Sequence, residues 1–350
     1  MRVLIATSQT PFVRGGAEIL ADELKLALEQ SGHTADICSI PFKWYPPQCV
    51  VDHMAACRLL DLSEYNGTKV DLVIGLKFPA YFCRHENKVL WLVHQHREAF
   101  DLWDRKIGAL FHSQDGALVR DAVHVADAEI LGKEYSRRYT ISENVSNRLL
   151  RYSDVDSEPL YHPPRGSEHF SCNGVERYLF FPSRLTPIKR QDLVIEAFAK
   201  MKVRDVSLVF AGTADSKGYL EELKALAESL GVANRVRFAG YISDEQKAEL
   251  YSRCLAVVYP PMDEDYGYVT LEAMLSEKPV LSCEDAGGVL EFLLDGSTGR
   301  VCAANSSSLA EGMDELADDE TRAAAWGRKG KELYDTMGIS WRAVIEALVR

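Results

Sequence analysis

The chain has 350 residues, 47% hydrophobic and 26% charged, with a formal net charge of −12. This length exceeds what one core usually supports, so two domains are expected. The negative charge argues against nucleic-acid binding, and no run of about 18 apolar residues offers a membrane span. The eight cysteines form no C-x-x-C pair. That pattern leads to the expectation of a reduced, cytoplasmic protein that uses its thiols as small apolar residues.

In chain order, "RVLIA" (2–6) reads as a buried first strand, its apolar run being too short for a signal peptide. A glycine-containing loop and an amphipathic helix from Ala17 to Gln30 follow. "DLVIG" (71–75), "KVLWLV" (88–93) and "RRYTIS" (137–142) are further strands in the rhythm of a parallel sheet covered by helices. Residues 153–176 are rich in Ser, Pro, Gly and charge and read as a linker. A second series then begins, with strands at "RYLFFPS" (177–183), "VSLVFAG" (206–212), "RVRFAG" (235–240), "LAVVYP" (255–260) and "KPVLSC" (278–283). Helical patterns at 190–202, 217–230, 244–253 and 267–277 separate them, and Trp341 to Val349 forms a last helix. The expectation is α/β with two parallel-sheet halves, 1–165 and 166–335, facing each other across a cleft at their strand C-terminal ends. Residues 336–350 are expected to return to the first half. No G-x-G-x-x-G follows a strand and no P-loop pattern occurs.

Four constellations carry chemistry. In "FVRGGAE" (12–18), Gly15 and Gly16 sit at a strand-to-helix junction, where backbone amides can approach a ligand or simply make a tight turn. In "SRLTPIKR" (183–190), Arg184 and Lys189 follow the first strand of the second half, either as a pyrophosphate clamp or as solvated cations. His94 ends the strand in "LWLVHQHREAF" (90–100), with His96 two residues on; a sugar-side histidine and a core histidine are both open. "EDYGYVTLE" (264–272) places Glu264 before a helix start near Gly267 and Glu272 inside that helix. The spacing does not fit a capping box. A dipole partner, a solvent-facing glutamate and an acidic metal triplet at 263–265 are its other readings.

Together these segments resemble the retaining glycosyltransferases of family 4, which have the GT-B fold. The Glu264-x7-Glu272 motif and the run "AMLSEKPVLSCEDAGGVLEFLLDGSTGRV" (273–301) are the most specific part. "SRLTPIKRQDLVIEAF" is similar to the family's phosphate loop, and "RGGAE" to its N-terminal glycine loop. The resemblance implies a UDP- or GDP-sugar donor, a glycan or glycolipid acceptor, no cofactor and no metal. It implies that Arg184 and Lys189 neutralise the diphosphate and that Gly15 and Gly16 offer amides. Glu272 would accept from the ribose hydroxyls, and Glu264 would hold the sugar. The backbone of Tyr266, Gly267 and Tyr268 would face sugar and phosphate, Tyr241 would lie near the base, and His94 near the sugar. The implied activity is hexosyl transfer with retention in polysaccharide or glycoconjugate synthesis. Membrane attachment is expected to be weak or absent, at most peripheral at the inner face, although basic clusters at Arg137-Arg138 and Arg148 to Arg151 could touch lipid, and the stretch "PFKWYPP" (41–47) lipid or sugar. A nucleotide-sugar epimerase and a non-catalytic nucleotide-sugar-binding protein are the alternatives.

Overall fold

The computed structural model describes residues 1–350 and divides into two compact units, Met1–Arg165 with Ser340–Arg350, and Gly166–Ile339. The first unit runs β1 (Arg2–Gln9), α1 (Gly16–Gln30), β2 (Thr34–Pro41), α2 (Gln48–Leu59) and a short hairpin, β3 (Glu64–Tyr65) and β4 (Thr68–Lys69). It continues through β5 (Leu72–Lys77), β6 (Lys88–His94), α3 (Asp101–Asp104), α4 (Gly116–Lys133), β7 (Arg137–Thr140), α5 (Glu143–Ser153) and β8 (Glu158–Pro159). The sheet order is β2-β1-β5-β6-β7-β8, every pairing parallel. Ile5, Leu72, Ile74, Val89, Leu90 and Trp91 are wholly buried in it. Such a sheet is covered on both faces, which is why its central strands read as continuous apolar runs.

The second unit repeats this plan: β9 (Tyr178–Pro182), α6 (Gln191–Lys200), β10 (Ser207–Ala211), α7 (Lys217–Ser229), β11 (Val236–Phe238), α8 (Asp244–Arg253), β12 (Ala256–Val258), α9 (Tyr268–Leu275), β13 (Val280–Cys283), β14 (Gly299–Cys302), α10 (Ser306–Asp318) and α11 (Glu320–Thr336). Its sheet is β11-β10-β9-β12-β13-β14, again parallel. In each sheet the order reverses once, at β1–β5 and at β9–β12. In open parallel sheets ligands bind beyond the strand C-termini at such switch points.

The last helix, α12 (Trp341–Leu348), lies within the first unit, burying Val344, Ile345 and Leu348. Trp341 lies 6.2 Å from the Trp91 ring and 5.9 Å from that of His162. The linker reading of 153–176 needs correction in its first part. β8 extends the first sheet, and His162 is buried in that aromatic cluster. All eight cysteines are free thiols, five of them buried.

Candidate active site

Lys189 and Glu264 arrive from opposite sides of the second switch point. The β9 chain leaves the sheet through Ser183 and closes a 3-10 turn at Pro187–Lys189, stiffened by Pro187. The β12 chain leaves through Pro260 and Pro261 toward Gly267 at the head of α9. Between them stands Tyr259, almost fully buried. Lys189 Nζ donates to the Tyr259 hydroxyl at 2.8 Å and pairs with Glu264 Oε2, both side chains being largely covered. Burial, followed by the Glu264 carboxylate, pushes the Tyr259 phenol well above its usual range, so it keeps its proton. An ammonium has three donors, and these two contacts leave one for an incoming anion.

The Glu264 loop is clamped by the glycine pair at 287–288. Glu264 N–H donates to Ala286 O at 3.0 Å, and Gly288 N–H donates to Glu264 O at 2.8 Å. A Cβ on Gly288 would lie 2.7 Å from Asp265 O, so only glycine allows this approach. Gly267 has φ +78°, and its Cβ would lie 3.0 Å from Val289 Cα. It turns the chain into α9 in the left-handed region.

Glu272, on α9, is buried rather than facing solvent. Lys247 Nζ donates to its Oε1 at 2.7 Å and the Tyr251 hydroxyl to its Oε2 at 2.8 Å. A carboxylate has about four lone-pair positions, so capacity for a diol remains. Tyr266 is also buried, edge-on to Tyr268 (5.1 Å) and Phe292 (5.6 Å). Its side chain packs, leaving only its backbone for a ligand. Tyr241 is 80% exposed, just beyond Gly240 with φ +67°.

The two cations of the β9 loop are not brought onto one partner. Arg184, half exposed, pairs with Asp215 at 3.0 Å. Arg190, which the sequence reading left aside, takes φ +60° and holds Asp285 with both guanidinium nitrogens. Sequence reasoning also missed Tyr259, Lys247 and Tyr251. The available signal was the i,i+4 spacing of Lys247 and Tyr251, which puts both on one face of α8.

In the first unit, Gly15 caps α1 with φ −140°, so its backbone is unstrained. Its N–H donates to Glu18 Oε2 at 2.8 Å, while Glu18 Oε1 pairs with Lys77 at 3.3 Å. The Gly15 amide is therefore committed to Glu18, and Gly16 opens the helix. The third position after a cap is where such a glutamate belongs. His94 ends β6 half-buried, its Nδ1 2.6 Å from the Gln95 carbonyl. His96 is a core residue: its ring stacks on Phe78 at 5.2 Å, and burial lowers its pKa to about 4. Beside His94, Arg97 and Arg148 converge on buried Asp101.

The basic clusters are engaged internally. Arg137 donates to the carbonyls of Leu348 and Arg350, and Arg138 to those of Gly132, Tyr135 and Asp156. Arg151 pairs with Asp104 at 3.3 Å. No helix is long and apolar enough to cross a membrane, and no group of three His, Cys, Asp or Glu is placed to hold a metal ion.

Two six-stranded parallel sheets, each reversing its strand order once, have the GT-B architecture. An Anabaena protein, HepE, solved with UDP and glucose, superposes with a TM-score of 0.71 at 17% identity, covering 100% of this chain and 98% of that one. The family model of the glycosyl transferases group 1 matches residues 168–333. The alpha-1,3/1,6-mannosyltransferase ALG2 of Mus musculus is 32% identical over 371 residues, covering 91% of this chain and 88% of that protein. The chain belongs to the glycosyl transferases group 1 family. The ALG2 of Dictyostelium discoideum is 35% identical over 133 residues, but that match covers 37% of this chain and only 31% of the relative's length.

Proposed function

We propose that this chain transfers a hexosyl group from a UDP- or GDP-sugar to a glycan or glycolipid hydroxyl, with retention of anomeric configuration, in glycoconjugate synthesis. The observation that carries this reading is the meeting of Lys189, Tyr259 and Glu264 at the switch point, with Glu272 buried on the following helix. Lys189 directs its remaining donor to the diphosphate, and Arg184 adds a second cation at the loop's rim. The α9 N-terminus contributes partial positive charge. Together they stabilise the charge that develops on the leaving group, so no divalent metal is required. Glu264, held by Lys189 and by the glycine clamp, accepts from donor-sugar hydroxyls. Glu272, fixed by Lys247 and Tyr251, accepts from the ribose diol.

UDP and UDP-glucose in solved neighbours support a nucleotide-sugar donor, and the mannosyltransferase relatives support including a mannosyl donor among the candidates. Removing one charge-assisted hydrogen bond costs about 1.5–3 kcal/mol, so Lys189→Ala is expected to weaken nucleoside-diphosphate binding roughly ten- to a hundredfold. Unchanged affinity for both UDP and GDP would refute the assignment. Turnover is expected to persist in EDTA; loss that manganese restores would revive the acidic triplet at 263–265 as a metal site.

A further inference from the structure

Helix α2 ends at Leu59, and the chain then runs beside the segment that follows a 3-10 turn at Ala80–Phe82. Arg84 N–H donates to Leu60 O at 2.9 Å, and Leu62 N–H donates to Arg84 O at 2.9 Å. These two bonds set Cys57, in the last turn of α2, against Cys83, which closes the 3-10 turn. Both cysteines are buried, and the Cys57 thiol donates a hydrogen bond to the Cys83 sulfur. A charged clasp surrounds the pair. Lys88, its side chain 2% exposed, donates from Nζ to Cys83 O at 3.3 Å and to Glu134 Oε2 at 2.8 Å. Glu134 also holds Arg58, the residue after Cys57, at 2.6 Å. Burying an ammonium is costly, and an apolar side chain would fill this position at less cost.

The clasp puts positive charge next to sulfur. The hydrogen bond from Cys57, and then the Lys88 ammonium, lower the Cys83 thiol pKa against the opposing effect of burial. Cys283 and Cys302 give the contrast. They are register partners on β13 and β14, yet burial pushes their thiols up to about 12 and about 11. A cavity of about 290 Å³, with Arg58, Arg84 and Glu134 in its wall, brings solvent to the residues that adjoin both Cys57 and Cys83.

We propose that Cys57 and Cys83 are an oxidisable dithiol, in which Cys83 attacks hydrogen peroxide and Cys57 resolves the product to a disulfide. In the first step the Cys83 S–O bond forms and the peroxide O–O bond breaks. The departing hydroxide takes up the proton that Cys83 released, leaving a sulfenic acid and one water. In the second step the Cys57 sulfur attacks Cys83 Sγ and the S–O bond breaks. The hydroxide leaves with the Cys57 proton as a second water. The two thiols lose two electrons and two protons, and the peroxide is reduced to two waters. The bond ties α2 to the 3-10 turn and encloses the β3-β4 hairpin. It gives chemistry to two thiols expected from the sequence to serve as small apolar residues, and it does not depend on glycosyl transfer.

The test uses the full chain, reduced, freed of reductant and treated with a small excess of hydrogen peroxide. Remaining thiols are blocked with N-ethylmaleimide, and tryptic peptides are mapped by mass spectrometry without reduction. Peptides 44–58 and 78–84 are expected to be joined, with fragmentation placing the bond on Cys57 rather than Cys49. Dithiothreitol is expected to release them. In Cys57→Ser, Cys83 should accumulate as a sulfenic acid that dimedone traps; in Cys83→Ser, Cys57 should stay unmodified. Lys88→Met should slow disulfide formation severalfold, and Lys88→Arg should keep most of the rate. Absence of the linked peptides, or their appearance only in urea, overturns the proposal. Dimedone on Cys57 in Cys83→Ser, with none on Cys83 in Cys57→Ser, overturns the assignment of Cys83 as the attacking thiol. An unchanged rate in Lys88→Met overturns the role of the lysine. If the variants do not fold, the wild-type peptide map decides.

Discussion

At the scale of single residues, the proposed function sets Glu264 on the sugar and Glu272 on the ribose of the donor, so the two should fail differently. Glu272→Gln is expected to weaken binding of free UDP or GDP, because ribose is present in both. It also leaves Lys247 facing a neutral amide, which should reduce stability by about 1–3 kcal/mol. Glu264→Gln should leave nucleotide affinity nearly unchanged and lower turnover. Calorimetry with nucleotide alone distinguishes them, and equal losses in both variants would refute the division. The placement of the two glutamates around the α9 start, and of Lys189 after the β9 end, was legible in the sequence. Their partners were not. Tyr259 lies 70 residues from Lys189 and Lys247 lies 25 from Glu272, separations that only the folded sheet converts into contact.

At the scale of elements, the central strands were readable because both faces of a parallel sheet are covered. Besides the two-residue hairpin strands β3 and β4, the strands that went unread, β2, β8 and β14, all lie at edges of the two six-stranded sheets. β2 buries only Ala35, its other positions being half-buried or exposed, and β8 and β14 span two and four residues. Edge strands lose the continuous apolar run, and very short ones have no period to read. The glycine pair was visible as a motif, but its purpose was not. Gly288 lets the 285–288 loop lie against the Glu264 loop, and a Cβ there would meet backbone atoms of Asp265. Overpacking of this kind costs about 1–3 kcal/mol. Gly288→Ala is therefore expected to displace Glu264, reducing thermal stability and donor turnover together. A variant with wild-type Tm and turnover would show that the clamp is dispensable.

At the scale of the molecule, buried titratable groups shape the pH dependence of stability. His96 and His162 are held neutral by burial, with pKa values lowered to about 4 and about 3. The unfolded chain binds protons at these sites below about pH 6.5 while the folded chain does not, so stability falls as pH drops through that window. Asp127 acts in the opposite sense. Burial raises its pKa to about 7, so its contribution is present at low pH and is lost as pH rises through that value. His96→Phe should keep the aromatic packing and remove one acid-sensitive contribution. The mutant's stability relative to wild type should rise by about 2 kcal/mol between pH 7 and pH 5, read from urea midpoints; a constant difference would show that His96 titrates normally. The claim that organises the molecule is that the second sheet's switch point holds a nucleotide sugar. The most direct measurement is calorimetric titration of a panel of UDP- and GDP-sugars in EDTA against wild type and Lys189→Ala. The account predicts saturable binding of at least one nucleotide sugar to the wild type, weakened at least roughly tenfold in the variant. Absence of binding across the panel, or binding that Lys189→Ala leaves unchanged, would contradict it.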